Sequence, residues 1–224
     1  MNQTIADKHR TFRRFLILVF SIGLLAFAAM GGFLYLINQM RKQVPEELAN
    51  IMLPETRPVP AFALMAHDGT PFTLDRLKDT WSLLFFGYTH CPDVCPTALA
   101  AMGELLAEMK KNQVTAPYQG VFVSVDPQRD TQDLLKDYVA FFSPRITGVT
   151  GDEPVIKDLA KSVGAYYARE AGRGDDSYLI DHTSHFFLID PKGRLTAVFA
   201  ANRFPPAEAA DKVRRIIRHV ESNL

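Results

Sequence analysis

Both cysteines of the chain fall in one ten-residue stretch, Gly87-Tyr88-Thr89-His90-Cys91-Pro92-Asp93-Val94-Cys95-Pro96, and its flanks restrict what the chain can become. An apolar run from Ser82 to Phe86 precedes it and reads as a buried strand. Leu99, Met102, Leu105, Leu106 and Met109 follow at helical spacing. The thiols therefore sit where a core strand hands over to a helix. Residues four apart share a helix face, so a helix beginning near Cys91 points both sulfurs the same way near its N-terminal end. The amides and partial positive charge there stabilise thiolates. Such a place suits a disulfide or a soft metal ion.

The chain has 224 residues, enough for one sizeable domain and an appendage. Its 25 Lys and Arg balance its 25 Asp and Glu, and no basic stripe suits nucleic acid. The appendage is N-terminal. Lys8, Arg10, Arg13 and Arg14 precede a run from Phe15 to Ile37 without a charge. That run spans roughly 35 Å as a helix, enough to cross a bilayer. The basic excess on its N-terminal side leaves the N-terminus cytoplasmic and the main domain on the periplasmic, outer side of the inner membrane. The competing reading is a signal peptide cleaved after Ala26-Phe27-Ala28. Either way the main domain is exported and can keep a disulfide. The expected divisions are a cytoplasmic N-terminus over 1–14, a transmembrane anchor over 15–38, a proline-broken linker over 39–60 and a folded domain over 61–224.

Within the domain, Asp68-Gly69 predicts a hairpin turn. Trp81 to Tyr88 and Gly120 to Val125 read as core strands, the second apolar on both faces as a covered parallel strand is. Helices are expected over Pro96 to Asn112, from Thr131 to Phe142, from Asp152 to Gly164 and over Ala207 to Leu224. Leu134, Leu135, Tyr138, Phe141 and Phe142 form the expected buried side of the second. Tyr166 to Arg169 and Tyr178 to Ile180 form an extended pair about a polar turn, and Asp181 to Ser184 a loop. His185 to Ile189 and Arg194 to Phe199 pair across Asp190-Pro191-Lys192-Gly193, whose order is that of a type I turn. This succession predicts an α/β fold, a mixed sheet with helices on both faces and a thioredoxin-type core.

Two thiols support two chemistries. A dithiol-disulfide catalyst is one, although such pairs commonly have two intervening residues and this pair has three. The other is a copper site, since two thiolates and an imidazole make a soft three-coordinate environment. A structural zinc site wants a fourth ligand. Among the six histidines, His9 precedes the anchor, His219 lies in the last helix and His67 in the early turn. His90 adjoins Cys91, where joint chelation with Cys95 is awkward. His182 and His185 remain, and position alone leaves both open. Asp181 stands beside His182 as a group to orient the ring. Asp126 ends a core strand, with a second-shell or partner-docking role set against a local turn in which Arg129 and Asp130 pair.

Three stretches carry a resemblance: Phe86 to Pro96, Ser124-Val125-Asp126-Pro127-Gln128-Arg129-Asp130-Thr131, and Asp181-His182-Thr183 followed by Leu188 to Gly193. Together they resemble the Sco/SenC family. The resemblance implies a thioredoxin-like fold and a membrane-anchored copper chaperone that metallates or reduces the binuclear copper site of cytochrome c oxidase. It implies Cys91, Cys95 and His182 as ligands for Cu(I) or Cu(II), and a functional aspartate at Asp126. The implied partners are the copper-binding subunit of the oxidase and another copper chaperone or thiol reductant. Some members are thought to act mainly as thiol reductants, so metallochaperone and thiol-disulfide oxidoreductase stand side by side. His185 occupies a position where many members carry an apolar residue, which points to a modified outer shell.

Overall fold

The computed structural model describes residues 19–36, 44–170 and 178–223. The chain divides into two compact units after Gln43. The first contributes helix α1, Val19–Leu36, whose 18 residues are long and apolar enough to cross a membrane. The expected cytoplasmic segment 1–14 and both ends of the expected anchor lie outside the described residues, as does the polar turn after Glu170.

The second unit runs β1 (Met52–Pro58), β2 (Ala63–Ala66), β3 (Pro71–Thr73), β4 (Trp81–Gly87), α2 (Val94–Lys111), β5 (Tyr118–Ser124), α3 (Gln132–Phe142), β6 (Ile146–Thr150), α4 (Glu153–Val163), β7 (Tyr167–Arg169), β8 (Ile180–His182), β9 (His185–Ile189), β10 (Arg194–Ala200) and α5 (Pro206–Glu221). Eight strands form one sheet in the order β1-β10-β9-β4-β5-β6-β2-β3, and β7 and β8 form a separate ribbon. β4, β5 and β6 are parallel and the remaining pairings antiparallel. This is the thioredoxin-like mixed sheet expected.

β4 lies in the middle, buried at every one of its seven residues, which fits an apolar sequence interrupted only by Ser82, whose hydroxyl accepts from Gln119. Helix α2 buries Leu99, Met102, Leu105 and Leu106. Each such side chain stabilises the fold by about 1.5–3 kcal/mol. The helix comes close because β5 carries Gly120, where a Cβ would lie 2.7 Å from the Met102 sulfur. Gly69 and Gly193 hold positive φ in the two expected turns, and Gly164 in the C-cap of α4.

Three expectations change. Residues 44–60 are not a linker but part of the folded unit: Leu48, Ile51 and Val59 are buried, and β1 pairs with β10. Pro54 and Pro58 are compatible with a strand because β1 is at the edge of the sheet, where a missing amide donor costs little. Asp181 and His182 belong to β8 rather than to a loop. In α3 the buried residues are Leu135 and Val139, while Leu134 and Phe141 face solvent.

Candidate metal centre

α2 begins at Val94, so Cys95 sits in its first turn and Cys91 in the turn before it. The Cys91 amide donates to the Tyr88 carbonyl at 3.3 Å, and the Cys95 amide donates to the Cys91 sulfur at 3.4 Å. The first-turn amides thus serve a thiolate, as helix termini do. Cys95 is fully buried against the end of β4. A Cβ on Gly87 would lie 2.6 Å from its sulfur, so only glycine leaves that sulfur its place.

A buried carboxylate clamps the turn. Asp130, 1% exposed, accepts from the Thr89 amide at 3.0 Å and from the hydroxyls of Thr89 and Ser124, each at 2.6 Å. His90 leans on this cluster, with Nδ1 3.0 Å from the Thr89 hydroxyl. Asp130 is thus not the partner of Arg129. Thr131 caps α3 instead, accepting from the Leu134 amide.

Strand β8 brings His182 to the cysteines, with Nε2 3.2 Å from the Cys95 sulfur. The ligand atoms of Cys91, Cys95 and His182 all lie within 4.8 Å of one another. Neither cysteine is in a disulfide. The Phe85 and Tyr88 rings meet the imidazole edge-on, at 5.8 Å and 84° and at 6.0 Å and 89°. Asp181 does not orient it. Successive strand side chains point to opposite faces, and Asp181 is exposed on the far one.

Asp126 faces inward. Its carboxylate accepts from the Tyr178 hydroxyl and from Arg129 Nε, each at 2.5 Å. Arg129 in turn donates Nη1 to the Tyr178 carbonyl at 3.1 Å and stacks on the Tyr178 ring at 3.7 Å. At 1% exposure Asp126 offers no docking surface; it anchors the segment leading into β8. His185 opens β9 opposite Ala200, and His67 accepts the Gly148 amide. Neither contributes to the three-residue cluster.

The two thiols are electrostatically unequal. A hydrogen bond from Cys95 lowers the Cys91 pKa to about 3 against the opposing effect of burial, and His182 adds to the lowering. The same bond, together with burial, pushes Cys95 up. The environment thus favours charge on Cys91 and disfavours it on Cys95. Two thiolates and an imidazole form a donor set for a soft ion, and its binding releases the Cys95 proton.

Gly87, Tyr88 and Tyr178 also shape the centre, although none of them carries a ligand atom. A signal existed for the first two: a glycine and a tyrosine follow the apolar run Leu83 to Phe86 just ahead of the cysteines. Nothing local marks Tyr178, whose partner lies 52 residues away.

The family model SCO1/SenC matches residues 52–218. A SCO2-like protein of Rickettsia conorii is 37% identical over 179 residues, covering 78% of this chain and 85% of that protein. The structure of Bradyrhizobium japonicum ScoI with copper bound is similar at 37% identity and a TM-score of 0.63, over 71% of this chain and 99% of that one. Arabidopsis thaliana ScoI with copper bound is similar at 33% identity and a TM-score of 0.66, over 71% of this chain and 97% of that one. The matched span contains all three residues of the centre, and the chain belongs to the SCO1/SenC family.

Proposed function

We propose that the chain is a membrane-anchored copper metallochaperone that holds copper through Cys91, Cys95 and His182 and serves assembly of the binuclear copper site of cytochrome c oxidase. The observation that carries this reading is the convergence of two sulfurs and one imidazole nitrogen within 4.8 Å. The similar ScoI proteins with copper bound support the choice of metal. Cys91 is the partly exposed, charged sulfur and meets copper first. Cys95 and His182 complete the site from beneath, with the Cys95 proton leaving to solvent. The receiving partner is the copper-binding subunit of the oxidase. The apolar helix α1 anchors the protein in the inner membrane, its N-terminus cytoplasmic and its domain on the outer side, following the basic residues ahead of the helix.

Copper per protein, measured on the reduced full-length chain and on Cys91→Ala, Cys95→Ala and His182→Ala, tests the site. One copper on the wild type and weakened binding in each variant is expected. Tight binding retained in all three would sink the reading.

The inequality of the thiols favours a second activity, reduction of a client disulfide. The Cys91 thiolate attacks one client sulfur and releases the other as a thiolate. Cys95, losing its proton, then attacks Cys91, forms the Cys91–Cys95 disulfide and frees the second client thiol. Two electrons pass to the client, and an external dithiol protein restores the pair. In these steps His182 forms no bond to the client and only helps to lower the Cys91 pKa, whereas copper needs it as a ligand, so oxidase assembly with His182→Ala separates the two: activity largely kept indicates reduction, loss indicates copper delivery.

A further inference from the structure

A metal-binding imidazole usually donates its second nitrogen to a carboxylate, a carbonyl or water, which fixes the ring. His182 departs from this. Its Nδ1 is buried without a hydrogen-bond partner among the described residues, and the adjacent carboxylate, Asp181, points away. Backbone pairing does not tie the ring to the cysteines either, since β8 pairs with β7 in a ribbon separate from the main sheet. Side chains must set the distance between the two halves of the centre.

We propose that Tyr88 is the positioning residue for His182. Three observations converge on it. Its ring lies edge-on to the imidazole at 6.0 Å and 89°. Its hydroxyl accepts the Ile180 amide at 3.2 Å, two residues before His182 and on the same strand face. Its carbonyl accepts the Cys91 amide at 3.3 Å. One residue, 2% exposed, therefore holds the Cys91 turn with its backbone and the His182 strand with its side chain. Phe85 supplies a second ring edge but no polar anchor to β8. The Arg129 guanidinium lies 5.7 Å from the Tyr88 ring and also binds the Tyr178 carbonyl, bracing the start of the same segment.

This inference rests on the copper reading, so its test has one arm that needs no metal. In the reduced apo protein, full length and in detergent, Tyr88→Phe removes the acceptor of the Ile180 amide, and that amide exchanges about tenfold faster. In the copper-loaded protein, Tyr88→Phe keeps the ring edge and retains the nitrogen coupling of wild-type Cu(II) in electron paramagnetic resonance. Tyr88→Leu loses that coupling, and its copper affinity falls by about ten- to a hundredfold. A merely structural tyrosine would lower the melting temperature while leaving the nitrogen signature in place. The proposal is overturned if folded Tyr88→Leu keeps wild-type affinity and coupling. If Tyr88→Leu does not fold, unchanged Ile180 exchange in Tyr88→Phe overturns it. A wild type that binds no copper defeats the function proposed above, and the apo exchange arm still decides the role of Tyr88.

Discussion

The sulfur of Cys95 and Nε2 of His182 lie 3.2 Å apart although 87 residues separate them in the chain. The sulfur is fixed by the first turn of α2, and the nitrogen is carried on a two-stranded ribbon outside the main sheet. Site integrity thus depends on how well each side is held, and the predictions address the two sides in turn.

Gly87→Ala tests the seat of the buried sulfur. The new methyl would lie 2.6 Å from Cys95 Sγ and 3.0 Å from a carbon of the Phe122 ring. The sulfur must move, and overpacking of this kind costs about 1–3 kcal/mol. Calorimetry should show a lower melting temperature, and competition with a copper chelator a weaker site. A variant equal to wild type in both would show that the sulfur has room to spare.

Cys91 should react as a thiolate throughout the neutral range. Its pKa is lowered to about 3, so its charged form persists above that pH and disappears only as the pH falls through it. Iodoacetamide alkylation of the reduced protein should be nearly independent of pH between about 5 and 8. An ordinary thiol slows about tenfold per pH unit over that range. Mass spectrometry should place the adduct on Cys91, since Cys95 is buried and protonated. A tenfold slope per unit would refute the assignment.

Asp126→Ala should destabilise the domain more than an ordinary surface change. It removes the carboxylate that pairs with Arg129 Nε, on a side chain only 12% exposed. Removing one partner of a buried ion pair costs about 3–5 kcal/mol. Denaturant unfolding gives the cost, and a change under 1 kcal/mol would show the pair to be dispensable. The Tyr178 hydroxyl also donates to Asp126, so Tyr178→Phe and Asp126→Ala should combine non-additively.

A domain that starts at residue 61 should be markedly less stable than one that starts at residue 44. It lacks the buried Leu48, Ile51 and Val59 and exposes the edge of β10. At about 1.5–3 kcal/mol for each large apolar side chain, the loss approaches the whole stability of a typical domain. Equal melting temperatures would restore the linker reading of residues 44–60.

Much of this was legible from residue order. The period-3.6 pattern after Pro96, the apolar runs of β4 and β5, and the glycines of the tight turns are local signals that specify local conformation. They placed the cysteine pair at the mouth of a helix correctly. The failures share a cause. Prolines at 54 and 58 read as linker because edge-strand status belongs to the assembled sheet, not to the segment. Asp181 seemed a partner for His182 because sequence adjacency hides the alternation of a strand.

By itself the sequence determined the thiol pair at a strand-to-helix junction, the apolar N-terminal helix and the family, through motifs whose spacing is local. Which histidine completes the centre, which carboxylates turn inward, and what holds the imidazole were decided by the tertiary structure. Residue order read alone left His182 and His185 both open, and the family motif favoured His182 without saying how it is held. Only the packing of Tyr88 and Phe85 against the imidazole carried by the β7–β8 ribbon brings its ring to Cys95. Contacts across such separations depend on how distant elements dock, and no local periodicity records that.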